Sequence, residues 1–130
     1  MIYQLLESRA KAFGQMTAVC GEHRHLTYRQ LYRAAAGTAE YLHSLGAKEG
    51  DPIIIGAPPS PDFYVCFYAA AALGLVVLPV LPSGRIPRLV VDRRPVFAVG
   101  DEKFLEQALR QCPTVKHPLR WNHLARLRYD

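Results

Sequence analysis

APPSPDFYVCFYAAAALGLVVLPVL, residues 57–81, supports two incompatible interpretations, and the fold depends on which of them is correct. Its last 19 residues, from Phe63 to Leu81, carry no charge, and about 20 apolar residues suffice to cross a bilayer. Arginines follow this run, where a cytoplasmic flank would place positive charge. The first interpretation is therefore a membrane span.

The second interpretation is a buried helix that leads into a buried strand. Ser60 is a good N-cap residue and Pro61 suits the first helical position. The aromatic and alanine-rich run that follows favours helix, and Gly74 is a suitable C-terminal stop. Residues 75–79 then form a short β-branched run that ends in Pro79, which is typical of a buried parallel strand. A helix with its own start and stop, followed by a strand, favours this interpretation over the membrane span.

Further apolar runs place this unit in a larger α/β pattern. Residues 53–56, 75–79 and 96–99 are predicted strands that alternate with helices, and residues 17–26 form a predicted hairpin before them. Such an order predicts an open, mainly parallel sheet with helices on both faces, a flavodoxin-like βαβαβ arrangement preceded by a short β-hairpin.

Apolar periodicity predicts which helical faces are buried. A second helix begins at Thr27, with Gln30 completing a capping box. A helix capped by Asp101 should turn its apolar residues inward. The predicted apolar stripe of the first helix is Ile2, Leu5, Leu6 and Phe13; the predicted inward residues of the last are Phe104, Leu105, Ala108, Leu109 and Cys112. Shorter predicted elements are a helix at 86–92, a strand at 114–115 and a helical piece at 121–127.

The charge of the chain is unevenly distributed. The 130 residues carry a formal net charge of +5. The formal charges of residues 1–81 sum to zero, so the whole positive excess lies in residues 82–130. A basic half could meet nucleic acid or a membrane surface, but its basic residues are spread out, without the aromatic interleaving of a single-strand binder. We interpret it as a solvated surface, or as one covered by another part of a larger protein, and predict no nucleic-acid partner.

The cysteines and the N-terminus indicate a cytoplasmic location. Cys20, Cys66 and Cys112 are odd in number and far apart, which favours reduced thiols over a disulfide framework. The N-terminal residues carry charges and lack the long apolar core of a signal peptide.

The sequence pattern supports neither a metal site nor a phosphate loop. Cys20, His23 and His25 include two histidines of equal strand parity, but Cys20 has the opposite parity and no fourth ligand is evident. Neither GxGxxG nor GxxxxGK[ST] occurs. The turn 56–60 ends at a helix N-terminus that could hold an anion, yet its prolines remove backbone donors, so a structural cap is the favoured interpretation.

No candidate nucleophile or acid matches a catalytic motif in this sequence. Ser60 and Ser83 lie outside any GxSxG elbow, and Cys66 falls within an apolar helix where a thiol is inert. Asp101 and Glu102 are explained by the dipole of the helix that they begin. We therefore predict no catalytic, cofactor-binding or metal residue in this chain.

Four segments, in order, resemble motifs of the adenylate-forming ligases, which include acyl- and aryl-CoA synthetases, firefly luciferase and nonribosomal peptide adenylation domains. Residues 26–31 (LTYRQL) are similar to the family's first core motif, and residues 46–53 (GAKEGDPI) to its G-v-x-x-G-D-x-V turn. Residues 60–63 (SPDF) resemble its N-S-x-E-F helix start, and residues 71–79 (AALGLVVLP) its second core motif. The resemblance extends from residue 1 to about residue 112.

The resemblance implies a role and a limit. It implies that residues 1–130 form a partial N-terminal subdomain of the large domain of a ligase that makes an acyl- or aryl-adenylate from ATP and a carboxylate, with Mg²⁺, and passes the acyl group to CoA or a carrier-protein thiol. The family's phosphate loop, adenine, Mg²⁺ and ribose motifs and lid lysine all lie beyond this region, so the chain is expected to be inactive alone. A stand-alone α/β protein-binding module is the alternative.

Overall fold

The computed structural model describes residues 2–22, 24–82 and 84–127, with the side chains of residues 125–127 left undescribed. Six helices and six strands are found in these ranges. In chain order they are α1 (Ile2–Phe13), β1 (Thr17–Cys20), β2 (His25–Thr27), α2 (Tyr28–Ser44), β3 (Pro52–Gly56), α3 (Pro61–Ala72), β4 (Val76–Val80), α4 (Arg88–Val91), β5 (Phe97–Gly100), α5 (Glu102–Gln111), β6 (His117–Arg120) and α6 (Trp121–Leu127).

Two sheets organise the chain. β1 and β2 form an antiparallel hairpin, as the sequence predicts. The other four strands form a parallel sheet in the order β4-β3-β5-β6. The chain therefore adds β4 on one side of β3 and then returns to place β5 on the other side.

Alternate side chains of the central strands enter two separate cores. Ile53 and Ile55 contact one cluster, together with Phe97 and Val99, beneath α2, α3 and α6. Ile54 and Ala98 contact a second cluster beneath α5 and the segment that contains α4. Since successive strand residues point to opposite faces, this division confirms a sheet with helices on both faces.

Local chemistry at the helix starts explains where the long helices begin. The Thr27 hydroxyl accepts a hydrogen bond from the Gln30 amide at 3.1 Å, and the Gln30 side chain accepts one from the Thr27 amide at 2.9 Å. This capping box satisfies two donors that the helix leaves without partners. The predicted caps of α3 and α5, Ser60 and Asp101, are also confirmed.

A third cluster joins the hairpin and α1 to the rest of the domain. Leu6 of α1 and Leu26 of β2 contact Leu31 and Val65, which belong to α2 and α3. The hairpin is thus attached through helices and not through the parallel sheet.

One predicted strand is present but is less buried than expected. The run 75–79 is predicted to be a buried parallel strand, but β4 is an edge strand of the sheet as described, and Val76 is 43% exposed. Pro79 within the strand is the relevant signal, because proline has no N–H to donate to a neighbouring strand and is found inside strands mainly at sheet edges.

Several predicted inward residues are exposed. In α1 the core contacts come from Leu6 and Ala10, while Ile2, Leu5 and Phe13 are all more than 40% exposed. In α5, Leu109 is 46% exposed although Phe104, Leu105, Ala108 and Cys112 are buried. Helical periodicity defines an apolar stripe, but the position of the neighbouring element decides which part of it is covered.

In the C-terminal part, the boundaries of the helices and strands differ from the predicted ones. The predicted strand at 114–115 is wrong, because the strand lies at His117–Arg120, where it pairs with β5. The predicted helix at 86–92 is shortened to Arg88–Val91, since Pro87 stands at its N-cap. The helical piece at 121–127 is confirmed as α6.

Within residues 2–22, 24–82 and 84–127, no helix combines the length and the apolarity that crossing a membrane requires. The apolar run 63–81 is divided between α3, a turn at Gly74 and β4.

Candidate functional site at the carboxyl ends of the strands

The carboxyl ends of the parallel strands meet at one edge of the sheet, called here the carboxyl edge. The strand order reverses between β3 and β5. In open α/β sheets, ligands bind in the crevice outside the strand ends at such a reversal. The residues that line it are Gly56 and Gly100, which end β3 and β5.

An aromatic ring of the chain itself fills this crevice. A Cβ atom built on either Gly56 or Gly100 would overlap the ring of Phe104. Phe104 is 1% exposed and belongs to the first turn of α5. Both strands end in glycine because only a residue without a side chain leaves room for the ring.

The helix N-termini at the carboxyl edge are capped from within the chain. The Ser60 hydroxyl accepts a hydrogen bond from the Phe63 amide at 3.2 Å, and the Asp101 carboxylate accepts one from the Phe104 amide at 2.8 Å. Pro61 has no N–H to offer. These observations confirm the structural interpretation of the turn 56–60.

Charged groups near the same edge form ion pairs. Arg24 of the hairpin lies 2.9 Å from the Asp62 carboxylate, in the first turn of α3. Arg120, at the end of β6, lies 3.1 Å from the Glu102 carboxylate, in the first turn of α5. Both acidic residues also face the positive end of a helix dipole, so their charges are explained by local structure.

Two of the three residues of the metal hypothesis, Cys20 and His25, lie in the described part of the hairpin. His25 lies opposite Cys20 across the hairpin, whereas His23 lies outside the described residues. Among the residues that are described, no group of three or more His, Cys, Asp or Glu side chains is arranged to hold a metal ion.

The thiols and serines considered as nucleophiles occupy different environments. Cys66 and Cys112 are buried and Cys20 is exposed. Burial raises the pKa of the Cys112 thiol, which disfavours the reactive thiolate. Ser60 serves as the cap of α3, and Ser83 lies outside the described residues.

The glycines of two family-like motifs meet in the structure. The Gly50 amide donates a hydrogen bond to the Gly74 carbonyl at 2.9 Å. Gly50 has a φ of 89° and Gly74 a φ of 70°, a region that side-chain-bearing residues avoid. Segments 46–53 and 71–79 therefore form one joint that sets β3 beside β4.

Sequence reasoning missed two features that the fold assembles. One is the filled crevice, for which the signal was an apolar strand ending in glycine in IIIG and again in FAVG. The other is a cleft of about 510 Å³ between the segment before α4 and the end of α5. Three of its lining residues are Arg85, Arg88 and Arg110, and sequence distance gave no signal that they would meet.

These features define a class: a doubly wound α/β scaffold whose strand reversal is filled by its own aromatic side chain. The family model described as "AMP-binding enzyme" matches residues 6–120. The chain belongs to this family of AMP-binding enzymes.

Known relatives agree with this assignment. A probable CoA ligase of Humulus lupulus is 35% identical over 78 residues, which cover 58% of this chain and 14% of the ligase. The malpinin synthetase of Mortierella alpina is 31% identical over 104 residues, which cover 78% of this chain and 1% of the synthetase. Inhibitor-bound crystals of the N-terminal domain of FACL13 from Mycobacterium tuberculosis contain the same fold, with a TM-score of 0.85 and 25% identity over 99% of this chain and 35% of that domain. The chain thus spans much less than two thirds of the length of these relatives.

Proposed function

We propose that residues 1–130 act as the N-terminal scaffold portion of the large domain of an ATP-dependent, carboxylate-activating ligase. The parent activity is formation of an acyl- or aryl-adenylate from ATP and a carboxylic acid, followed by transfer to CoA or a carrier-protein thiol in the cytoplasm. The partner of this chain is then the remainder of the ligase.

The observation that carries the proposal is the structural role of the four family-like segments. Residues 26–31 begin α2, residues 60–63 begin α3, and residues 46–53 and 71–79 meet at the joint between β3 and β4. Each of them builds the scaffold, and the same arrangement recurs over 99% of this chain in the mycobacterial domain.

The described residues at the strand reversal do not fit ATP or Mg²⁺. Phe104 fills the crevice at the strand reversal, and the amides of Phe63 and Phe104 are bonded to their own caps. The described residues also contain no cluster of three metal-ligating side chains. We therefore assign no chemical step to this chain and propose that it is inactive alone.

A complementation experiment tests the scaffold role. A relative such as the probable CoA ligase of Humulus lupulus would be produced without the segment that corresponds to this chain, and carboxylate-dependent pyrophosphate release would be measured with and without the chain. We expect neither part to release pyrophosphate alone and the mixture to release it.

The matched control is Gly74→Val. Gly74 has a φ of 70°, and a Cβ atom there would lie 2.9 Å from the Glu49 side chain, so the variant should disturb the joint between β3 and β4 and abolish complementation. Pyrophosphate release by the 130-residue chain alone would contradict the inactivity that we propose.

The basic cleft favours a second candidate, a stand-alone protein-binding module. Arg88 is paired with Asp92 at 3.1 Å, whereas no described carboxylate lies within ion-pair distance of Arg85 or Arg110. An acidic partner would use these charges. Failure of complementation by a folded chain, together with salt-sensitive binding of one partner that Arg85→Ala/Arg110→Ala abolishes, would favour this candidate.

A further inference from the structure

A pocket of about 400 Å³ lies where α1, the hairpin, α2 and α3 meet. This volume is at the lower end of the range for small-molecule sites. Four elements supply its walls. The principal lining residues are Leu6, residues 18–20, Tyr28, Leu31, Tyr64 and Tyr68.

The walls combine apolar surface with three phenol groups. Tyr64 and Tyr68 lie one turn apart on α3, and Tyr28 lies in the first turn of α2. Tyr28, Tyr64 and Tyr68 all line the same pocket. Burial, and also the proximity of Tyr28 and Tyr64, raises the pKa of Tyr68. Within the described part of the chain none of these hydroxyls makes a hydrogen bond.

The chemistry of the lining restricts what the pocket can hold. None of the described residues around it is charged. An ionised ligand would lose hydration without gaining a counter-charge, which is costly. A fully apolar ligand would cover the phenol hydroxyls and leave them without partners, which also costs free energy.

We propose that this pocket binds a small, neutral aromatic molecule that carries hydrogen-bond acceptors. Its rings contact the leucine and valine side chains, and its acceptor atoms take hydrogen bonds from Tyr28, Tyr64 and Tyr68. The pocket shares Tyr28 and Leu31 with the scaffold segment 26–31, but it uses no residue of the joint between β3 and β4. Ligand binding and complementation can therefore be tested separately.

Binding can be measured with 7-methoxycoumarin, a neutral bicyclic lactone, by fluorescence and by calorimetry on the full chain. Coumarin-3-carboxylate serves as the ionised comparison and naphthalene as the comparison without acceptors. We expect saturable, 1:1 binding of 7-methoxycoumarin and at least tenfold weaker binding of the other two. Equal affinity for all three compounds, or no saturable binding, would overturn the proposal.

The exposed Cys20 provides a reporter at the pocket, since Cys66 and Cys112 are each only 1% exposed. Its rate of alkylation by iodoacetamide, followed by peptide mass spectrometry, should fall when 7-methoxycoumarin is bound. An unchanged rate at saturating ligand would place the ligand elsewhere on the chain.

Tyrosine-to-phenylalanine variants separate recognition from folding. Tyr64→Phe and Tyr68→Phe keep the ring and remove one hydroxyl, so each should weaken binding roughly threefold to tenfold, the value of one hydrogen bond. Tyr41→Phe is the matched control, because its hydroxyl contacts His123 outside the pocket.

A second variant, Ala18→Leu, should fill the pocket and abolish binding. Retention of full affinity in both the phenylalanine variants and Ala18→Leu would contradict the assignment.

Discussion

The ring of Phe104 shapes the carboxyl edge of the sheet by occupying the space beside Gly56 and Gly100. Neither glycine has a positive φ, so the backbone would accept alanine at both positions. The requirement for glycine comes from packing and not from backbone conformation. The same contact closes the place where an open α/β sheet would otherwise accept a ligand.

Gly100→Ala should lower the free energy of unfolding by about 1–3 kcal/mol, because the new methyl group must displace the Phe104 ring in a packed core. Urea denaturation of the variant gives this value. Phe104→Leu in the same chain should recover part of the loss, since two residues in contact are not additive. Strictly additive losses in the double variant would contradict a direct clash.

Arg94 is the described non-glycine residue with a positive φ, 53°. It follows α4, and its amide bonds to the Val91 carbonyl, a position at which helices commonly carry glycine. Arg94→Gly should raise the free energy of unfolding by up to about 1 kcal/mol, because a left-handed L-residue costs about 1–2 kcal/mol and the entropic cost of glycine, about 0.5–1 kcal/mol, offsets part of that gain. Thermal and urea unfolding provide the measurement.

Arg93→Gly is the control for that substitution. It removes the same charge from the adjacent exposed position without relieving a positive φ. It should leave stability unchanged or lower it by up to about 1 kcal/mol, the entropic cost of glycine. Equal stabilisation by both variants would attribute the effect to charge.

Helix α2 owes its start to the capping box and its position to contacts with α1 and α3. Its buried residues recur at helical spacing and include Leu31, Ala35, Ala39 and Leu42. On its α1 side, the Tyr32 hydroxyl donates a hydrogen bond to Glu7 at 2.9 Å, and its ring lies 5.6 Å from that of Tyr3. These contacts join the N-terminal helix to α2, while Leu6 of α1 also packs in the cluster that contains Val65 of α3.

Thr27→Ala removes the side-chain half of the capping box and should cost about 1 kcal/mol of stability. Thr27→Ser keeps the oxygen that accepts from the Gln30 amide and should cost much less. The midpoint of urea unfolding for the two variants provides the comparison. A loss of equal size in both would mean that the Thr27 methyl group, and not the cap, is responsible.

The contact between α1 and α2 should make stability depend on alkaline pH. The hydrogen bond to Glu7, followed by the effects of Tyr3 and burial, raises the pKa of Tyr32 well above its ordinary value of 10.0. In the unfolded chain the phenol loses its proton near pH 10, whereas the folded chain retains it to higher pH. The contribution of Tyr32 is therefore complete below pH 10 and declines as pH rises above it.

Tyr32→Phe tests this dependence. Above pH 10 the free energy of unfolding should fall less steeply with pH in the variant than in the parent chain. The difference between the two slopes corresponds to at most one proton released on unfolding. Urea titrations at a series of pH values measure the slope. Identical slopes would show that Tyr32 ionises equally readily in both states.

The whole molecule consists of a parallel sheet between two cores, with a third core that attaches the hairpin. Residues 53–55 and 97–99 are fully buried, and they contribute to both cores of the sheet. β4 lies at an edge, and the hairpin contacts the helices through the third cluster and the ion pair between Arg24 and Asp62. Stability should therefore be distributed unevenly along the chain.

Native-state hydrogen exchange should reveal this distribution. Amides of β3 and β5 should exchange most slowly, close to the rate of global unfolding, while those of β1 and β2 should exchange through local opening. Exchange followed by NMR at two denaturant concentrations distinguishes the two modes. Protection of the hairpin equal to that of β3 would show that the three cores unfold together.

Local sequence signals predicted most of the helices and strands, but they did not predict which of their faces are buried. Caps at Thr27, Ser60 and Asp101 were predictable because each side-chain acceptor lies three residues before its amide. The exposure of Leu109 was not, because it depends on which neighbour covers α5. The strand at 117–120 contains a proline and two basic or titratable residues, so its pairing with β5 overrides a weak local preference.

The sequence by itself determined the α/β class, the helix starts, the stop of α3 at Gly74 and the order of the family-like segments, because each of these depends on residues close together in the chain. Only the tertiary structure decided that β4 lies at an edge, that Phe104 fills the strand reversal, and that three tyrosines from two helices converge on one pocket. Those features depend on strand order and helix docking, which are set by contacts between residues far apart in sequence.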